Sequence, residues 1–156
     1  MKSSPVPIVI LRLAVALFFL YLGYTKIQTG WLTDSERLQK SLLGLEQNAP
    51  PTSKWYIEHV GKPGVDFWSK LIPLGETALG ISLFLGLLVR LSTFIGMLTV
   101  LNFHLTSGAL LSISILGNPS AILVIASLLV LFLARAGRTF GIDALLAKGK
   151  SKSMLY

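Results

Sequence analysis

Three ionisable residues stand inside otherwise apolar stretches of this sequence: Arg12, Glu76 and His104. Ionisable groups in such surroundings are costly and usually face a protein interior or a polar pathway, which makes these three the default candidates for chemistry. A buried glutamate beside a neutral imidazole can pass protons or hydrogen-bond a quinone carbonyl. Around Glu76 the sequence offers Tyr21, Tyr24 and Lys26 from one apolar stretch and Asn102, His104, Thr106 and Ser107 from another. Glu76 and His104 are therefore the candidate catalytic groups, and Tyr21, Tyr24, Lys26 and Asn102 the candidate cofactor contacts. Helical spacing limits the arrangement. Asn102 and Thr106 share a face at i, i+4, as do His104 and Ser107 at i, i+3, so at most one pair faces Glu76 squarely. The same residues also suit a satisfied interhelical hydrogen-bond network that specifies packing.

Other chemistries lack local support. The chain has no cysteine, which excludes disulfides, thiolate metal sites and thiol chemistry carried by the chain itself, so a redox role needs other groups or other subunits. No H-x-x-x-H, Walker, G-x-G-x-x-G or G-x-S-x-G pattern occurs, and no metal site is expected. His59 reads as a solvated loop histidine. The net charge of +7 raises a nucleic-acid partner, but the basic residues cluster at segment ends and not along a groove-binding helix, so none is expected.

The elements that must position these residues are membrane spans. With 156 residues, 53% hydrophobic and 13% charged, the chain reads as one all-α integral membrane domain. Spans are expected over residues 8–26, 71–89, 91–111 and 120–136, forming a four-helix bundle. Only Arg90 separates the second and third, and Gly117, Asn118 and Pro119 mark a turn before the fourth. Lys2 precedes the first apolar run as in a signal peptide, but no small-x-small cleavage site follows it, so the run is read as a retained span.

Lys2, Arg90, Arg135, Arg138, Lys148, Lys150 and Lys152 fall on one side, which the positive-inside rule makes cytoplasmic. The segment 28–70 balances five basic against five acidic residues and can be translocated. Both termini are then cytoplasmic in a prokaryotic inner membrane, with residues 137–156 as a cytoplasmic tail. Arg12 lies near that face, within reach of lipid phosphates, and is too distant from Glu76 for a salt bridge.

Segment 28–70 should hold short helices. Thr33 and Glu36 have capping-box spacing, and Leu38, Leu42 and Leu45 follow at i, i+4, i+7. After Pro50-Pro51, Thr52 or Ser53 can cap a second helix carrying Trp55, Tyr56 and Val60. Trp31, Trp55, Tyr56 and Trp68 suit the aromatic belt of an interface, and the segment is either a cover over the bundle mouth or interfacial packing. Gly75, Gly80 and Gly86 are expected to allow close helix packing.

FLYLGYTKIQTGW at 19–31, GETALGISLFLGLLVR at 75–90, LNFHLTSG at 101–108 and AGRTFGID at 136–143, in this order and spacing, resemble the DoxX-like membrane family, especially the DoxD-type small subunit of thiosulfate:quinone oxidoreductase. The resemblance highlights Gly23, Lys26, Glu76, Arg90, Gly137, Arg138 and Asp143. It implies a membrane bundle associated with quinone-linked oxidation of sulfur compounds or with redox homeostasis. The expected function is accordingly a membrane subunit of a quinone-linked electron-transfer complex, with quinone as cofactor and other membrane subunits as partners. A non-catalytic accessory subunit of a respiratory or photosynthetic complex, holding lipid or pigment, is the alternative. A small transporter is weaker, because no inverted repeat or paired broken helices are found.

Overall fold

The computed structural model describes residues 4–109 and 119–147. Every regular element among them is helical. Helices α1 (Val6–Gln28), α2 (Glu36–Asn48) and α3 (Pro51–Tyr56) come first, and α3 continues into a π-helical turn (Ile57–Gly61). Then follow α4 (Val65–Leu85), α5 (Val89–Thr106), α6 (Pro119–Leu133), a 3-10 turn (Ala136–Arg138) and α7 (Ile142–Ala147). Among the described helices, α1 alone is long and apolar enough to cross a membrane by length and composition, while the apolar Ala121–Leu133 of α6 is shorter. In α4 the charges of Asp66, Lys70 and Glu76 interrupt the apolar pattern.

Boundaries shift from the expected spans for local reasons. The expected second span becomes α4, which starts at Val65 and ends at Leu85, because Gly86 turns the chain with a φ of 67°. A Cβ there would stand 2.6 Å from Gly141 Cα, so only glycine fits. Arg90 thus falls in the first turn of α5, its guanidinium 4.7 Å from the ring centre of Phe132. Helix α5 ends at Thr106. The expected span end at 110–111, the turn signal at Gly117 and Asn118, and Lys2, Lys148, Lys150 and Lys152 lie outside the described residues. Helix α6 stops at Leu133, ahead of a left-handed Arg135 at φ 48°.

Helices α1 and α4 run antiparallel at the closest approach in the bundle. A Cβ on Gly23 would collide with Thr77 Oγ1 and lie 3.0 Å from the Pro73 carbonyl, and one on Gly80 would lie 2.6 Å from Leu20. Small residues let the backbones meet, as helices in apolar surroundings require. Phe19, Leu83, Val89 and Leu128 fill the core where α1, α4, α5 and α6 converge.

At the end of the bundle near the α4–α5 turn, Arg12 is 2% exposed. Its guanidinium donates to the carbonyls of Ala136 at 2.7 Å, Thr139 at 2.8 Å and Phe140 at 3.1 Å. This corrects the expectation that Arg12 reaches for lipid phosphates. The irregular chain after α6 folds over it and supplies the acceptors instead. Asp143 completes the knot: its carboxylate accepts the N–H groups of Leu88 at 2.7 Å and Val89 at 3.0 Å, capping α5, while its own N–H donates to the Gly86 carbonyl at 3.0 Å.

At the opposite end, α2 and the π-helical turn form a cover. Leu38 and Leu42 bury with Ile57, against Trp31, Val65, Trp68 and Ile72. The capping box at Thr33 and Glu36 does not form. Thr33 Oγ1 donates to the Gly30 carbonyl at 3.2 Å, and Asp34 Oδ1 accepts the Glu36 N–H at 3.0 Å in its place. Nor do Thr52 or Ser53 cap α3. That helix opens on Pro51, a residue preset for a first turn, and the buried Ser53 donates to the Leu105 carbonyl at 2.6 Å, docking the cover onto α5. Lys62 to Glu46 at 2.7 Å and Trp68 Nε1 to the Val60 carbonyl at 3.0 Å tie the π-helical turn to α2 and α4.

Candidate functional site

Glu76 sits eleven residues into α4 on the face opposed to α1, with only 1% of its surface exposed. Lys26, in the last turn of α1, reaches it with Nζ 2.7 Å from both Oε1 and Oε2. The two are placed by the helix crossing: Gly23 brings α1 onto Thr77 one turn from the pair. Aromatic faces complete the surroundings of the ammonium, with ring centres of Trp31 at 5.7 Å and Phe103 at 5.6 Å. A buried charge is tolerated when it is paired and hydrogen-bonded, and this carboxylate is both.

Two cavities meet at Glu76 and Phe103. The larger, about 330 Å³, lies between the cover and the facing sides of α4 and α5. Its walls are mainly apolar, with Trp31, Trp68, Tyr56 and Phe103 among them, and its polar side chains include Glu76, Asn102 and Thr106. The smaller, about 160 Å³, lies between α1, α5 and α6 and is lined by Glu76, Phe103 and His104 with Phe18, Phe19, Leu22, Val100, Ala121 and Val124. Glu76 and Phe103 therefore form the partition between the two. The larger volume stands near the lower limit of small-molecule sites, at roughly 300 Å³, and suits one planar ring system with a few polar substituents.

The sequence now has its context: a DoxX family model matches residues 8–106, more than half of the chain. The chain belongs to the DoxX family. It is a membrane protein of this family, in contact with a lipid bilayer. Among curated proteins and among solved structures, none matches it.

In this DoxX chain the candidate residues divide by helix face. Lys26 and Glu76 come together as an ion pair. Asn102 lines the larger cavity, its amide donating to Tyr56 Oη at 2.5 Å, and Thr106 lies one turn on along the same wall. His104 is half-buried and lines the smaller cavity, on the other side of Glu76. Ser107 is exposed and lines neither. Tyr21 and Tyr24 are 66% and 60% exposed on the outer face of α1 and also line neither cavity.

Of the glycines expected to serve packing, Gly80 does, but a Cβ at Gly75 would meet nothing within 4 Å, and Gly75 opens onto the larger cavity. The ring of Trp31, expected in an interfacial belt, and that of Phe103 lie beside the Lys26 ammonium, and no spacing along the chain joins either to it. Gly137 and Asp143, which the resemblance highlights, belong to the far knot, where a Cβ on Gly137 would run into the Asp143 carboxylate.

Proposed function

We propose that this chain crosses the bilayer four times, through α1, α4, α5 and α6, and acts as a membrane subunit of a quinone-linked redox complex. The quinone head group occupies the larger cavity. The observation that carries this reading is Glu76, fully buried and paired with Lys26, on the wall of a largely apolar, aromatic-bearing cavity under a helical cover. Resemblance of the sequence segments to the DoxD-type small subunit supports it.

Orientation follows from charge. Arg90, Arg135 and Arg138 lie at the end away from the cover, whereas segment 28–70 is neutral, so the cover faces outward and both termini lie on the cytoplasmic side. The host membrane is then a prokaryotic inner membrane.

Reduction of a quinone takes two electrons and two protons, and the electrons must come from a redox centre on a partner subunit. This chain's part is to hold the ring and manage a proton. Glu76 lines the cavity, where its carboxyl group, once it carries a proton, can donate to a quinone oxygen; Lys26 pairs with it from outside the cavity wall, and Asn102 offers an amide at the same wall. His104, across the partition, gives Glu76 a neighbour through which a proton can leave the larger cavity. The bidentate Lys26–Glu76 contact also favours a second reading, an accessory subunit in which the pair only fixes helix packing.

One substitution separates the two. In native membranes, Glu76→Gln should lower quinone-dependent turnover by about 100-fold or more, the range of lost proton transfer, with the complex still assembled. Turnover equal to that of the unsubstituted complex would remove the quinone reading and leave the accessory one.

A further inference from the structure

We propose that the larger cavity opens sideways into the bilayer between α4 and α5, so that its occupant is an amphiphile whose hydrocarbon tail leaves through this gap while its head group stays at Glu76. The proposal rests on the quinone reading and narrows it to quinones carrying a long apolar chain.

Position along the helices supports a lateral portal. Leu71 on α4 and Ile95 on α5 both line the cavity, yet they are 45% and 44% exposed, so they form its rim as well as its wall. Ile95 stands eleven residues from the Thr106 end of α5 and six from its start. At ~1.5 Å per residue that is roughly 16 Å below the cover end and 9 Å above the other, deep within a ~30 Å hydrocarbon layer. The rim at this level therefore faces lipid tails and not water.

The cover roofs the cavity but does not seal its side: Leu45 and Asn102 also line it and are exposed, so the rim runs from the level of Ile95 up to the cover. Leu38, Leu42 and Ile57 are buried between α2, the π-helical turn and α4, and Ser53 and Tyr56 hold α3 to α5 through Leu105 and Asn102. The helices themselves leave room for the gap. Glycines draw α1 onto α4, and Gly96 sits 3.3 Å from Leu128 across α5 and α6 when given a Cβ, whereas the cavity keeps α4 and α5 apart above their shared turn. Glu76 stands nine residues from the Leu85 end of α4, roughly 14 Å, and Ile95 six residues from the start of α5, so a chain leaving a head group at Glu76 passes out sideways near the middle of the bilayer.

The test uses the whole chain in lipid nanodiscs, with Trp55→Phe throughout so that fluorescence reports Trp31 and Trp68 on the cavity wall. Quenching is titrated with 2,3-dimethoxy-5-methylbenzoquinone without a tail and with its decyl derivative, and the ratio of the two affinities is read. Phenylalanine at the rim, in Ile95→Phe and separately in Leu71→Phe, should lower the preference for the decyl compound by roughly tenfold, the effect of an overpacked contact. Ile95→Ala should keep the preference. A ratio unchanged in both phenylalanine variants, with affinity for both quinones reduced by Glu76→Gln, overturns the portal and leaves the head-group site standing. No quenching by either quinone in the unsubstituted cavity overturns the quinone reading and the portal with it.

Discussion

Removing one partner of the Lys26–Glu76 pair has a different consequence from removing the other. The Glu76 side chain is fully buried, while Lys26 keeps 18% of its side chain exposed and lies over two aromatic rings. Lys26→Met strands a carboxylate with nowhere to turn, a loss of about 3 kcal/mol for a broken buried pair. Glu76→Gln leaves an ammonium that retains its ring contacts and an amide acceptor, so its cost should be about 1 kcal/mol. Thermal unfolding in detergent checks this order, and equal losses would show that the rings do nothing for the lysine.

Part of the site was visible in residue spacing. Arg12, Ala16, Phe19, Gly23 and Lys26 recur at intervals of three and four, and the first four are buried, so the seam that carries Arg12 inward also points Lys26 at Glu76. Tyr21 and Tyr24 sit off that seam, and depth alone drew them into the candidate set. Arg12 was illegible for another reason: its acceptors lie more than 120 residues away, in a segment without helical periodicity.

Among the elements, α1 and α4 pack closely, whereas α4 and α5 stand apart around the larger cavity. Gly23→Leu would drive a side chain into Thr77 and the Pro73 carbonyl, and should cost about 1 to 3 kcal/mol while displacing Lys26 from Glu76. Gly75→Leu, by contrast, projects into empty space and should fill part of the larger cavity with little loss of thermal stability. Its signature is weakened quinone quenching of Trp31 and Trp68, and undiminished quenching would mean that the occupant lies elsewhere.

At the far end, Asp143 caps α5 from 54 residues beyond Val89. Asp143→Ala should cost about 1 to 2 kcal/mol, the value of a lost N-cap, and should speed proteolysis after α6. The amphipathic α2 was legible because Leu38 and Leu42 keep helical period. The cap exchange from Thr33 to Asp34 was not, since both residue types fit and only the turn after α1 decides between them.

For the whole molecule, the proposed arrangement has two unlike ends: a knot of Arg12 and Asp143 where the basic residues gather, and a covered end that holds the cavity. The all-helical class and the family were readable from apolar runs and ordered motifs. The cavity was not, because it arises where sequence-adjacent helices α4 and α5 fail to close, and no local pattern records a gap between elements. The central claim is that a quinone ring sits in the larger cavity at the Glu76–Phe103 partition. Photolabelling of native membranes with an azido-substituted quinone, followed by peptide mapping, tests it most directly. Label on the peptides carrying Trp31, Trp68 and Phe103, displaced by unmodified quinone, is the expected result, and label confined to other parts of the chain, or to partner subunits alone, would contradict it.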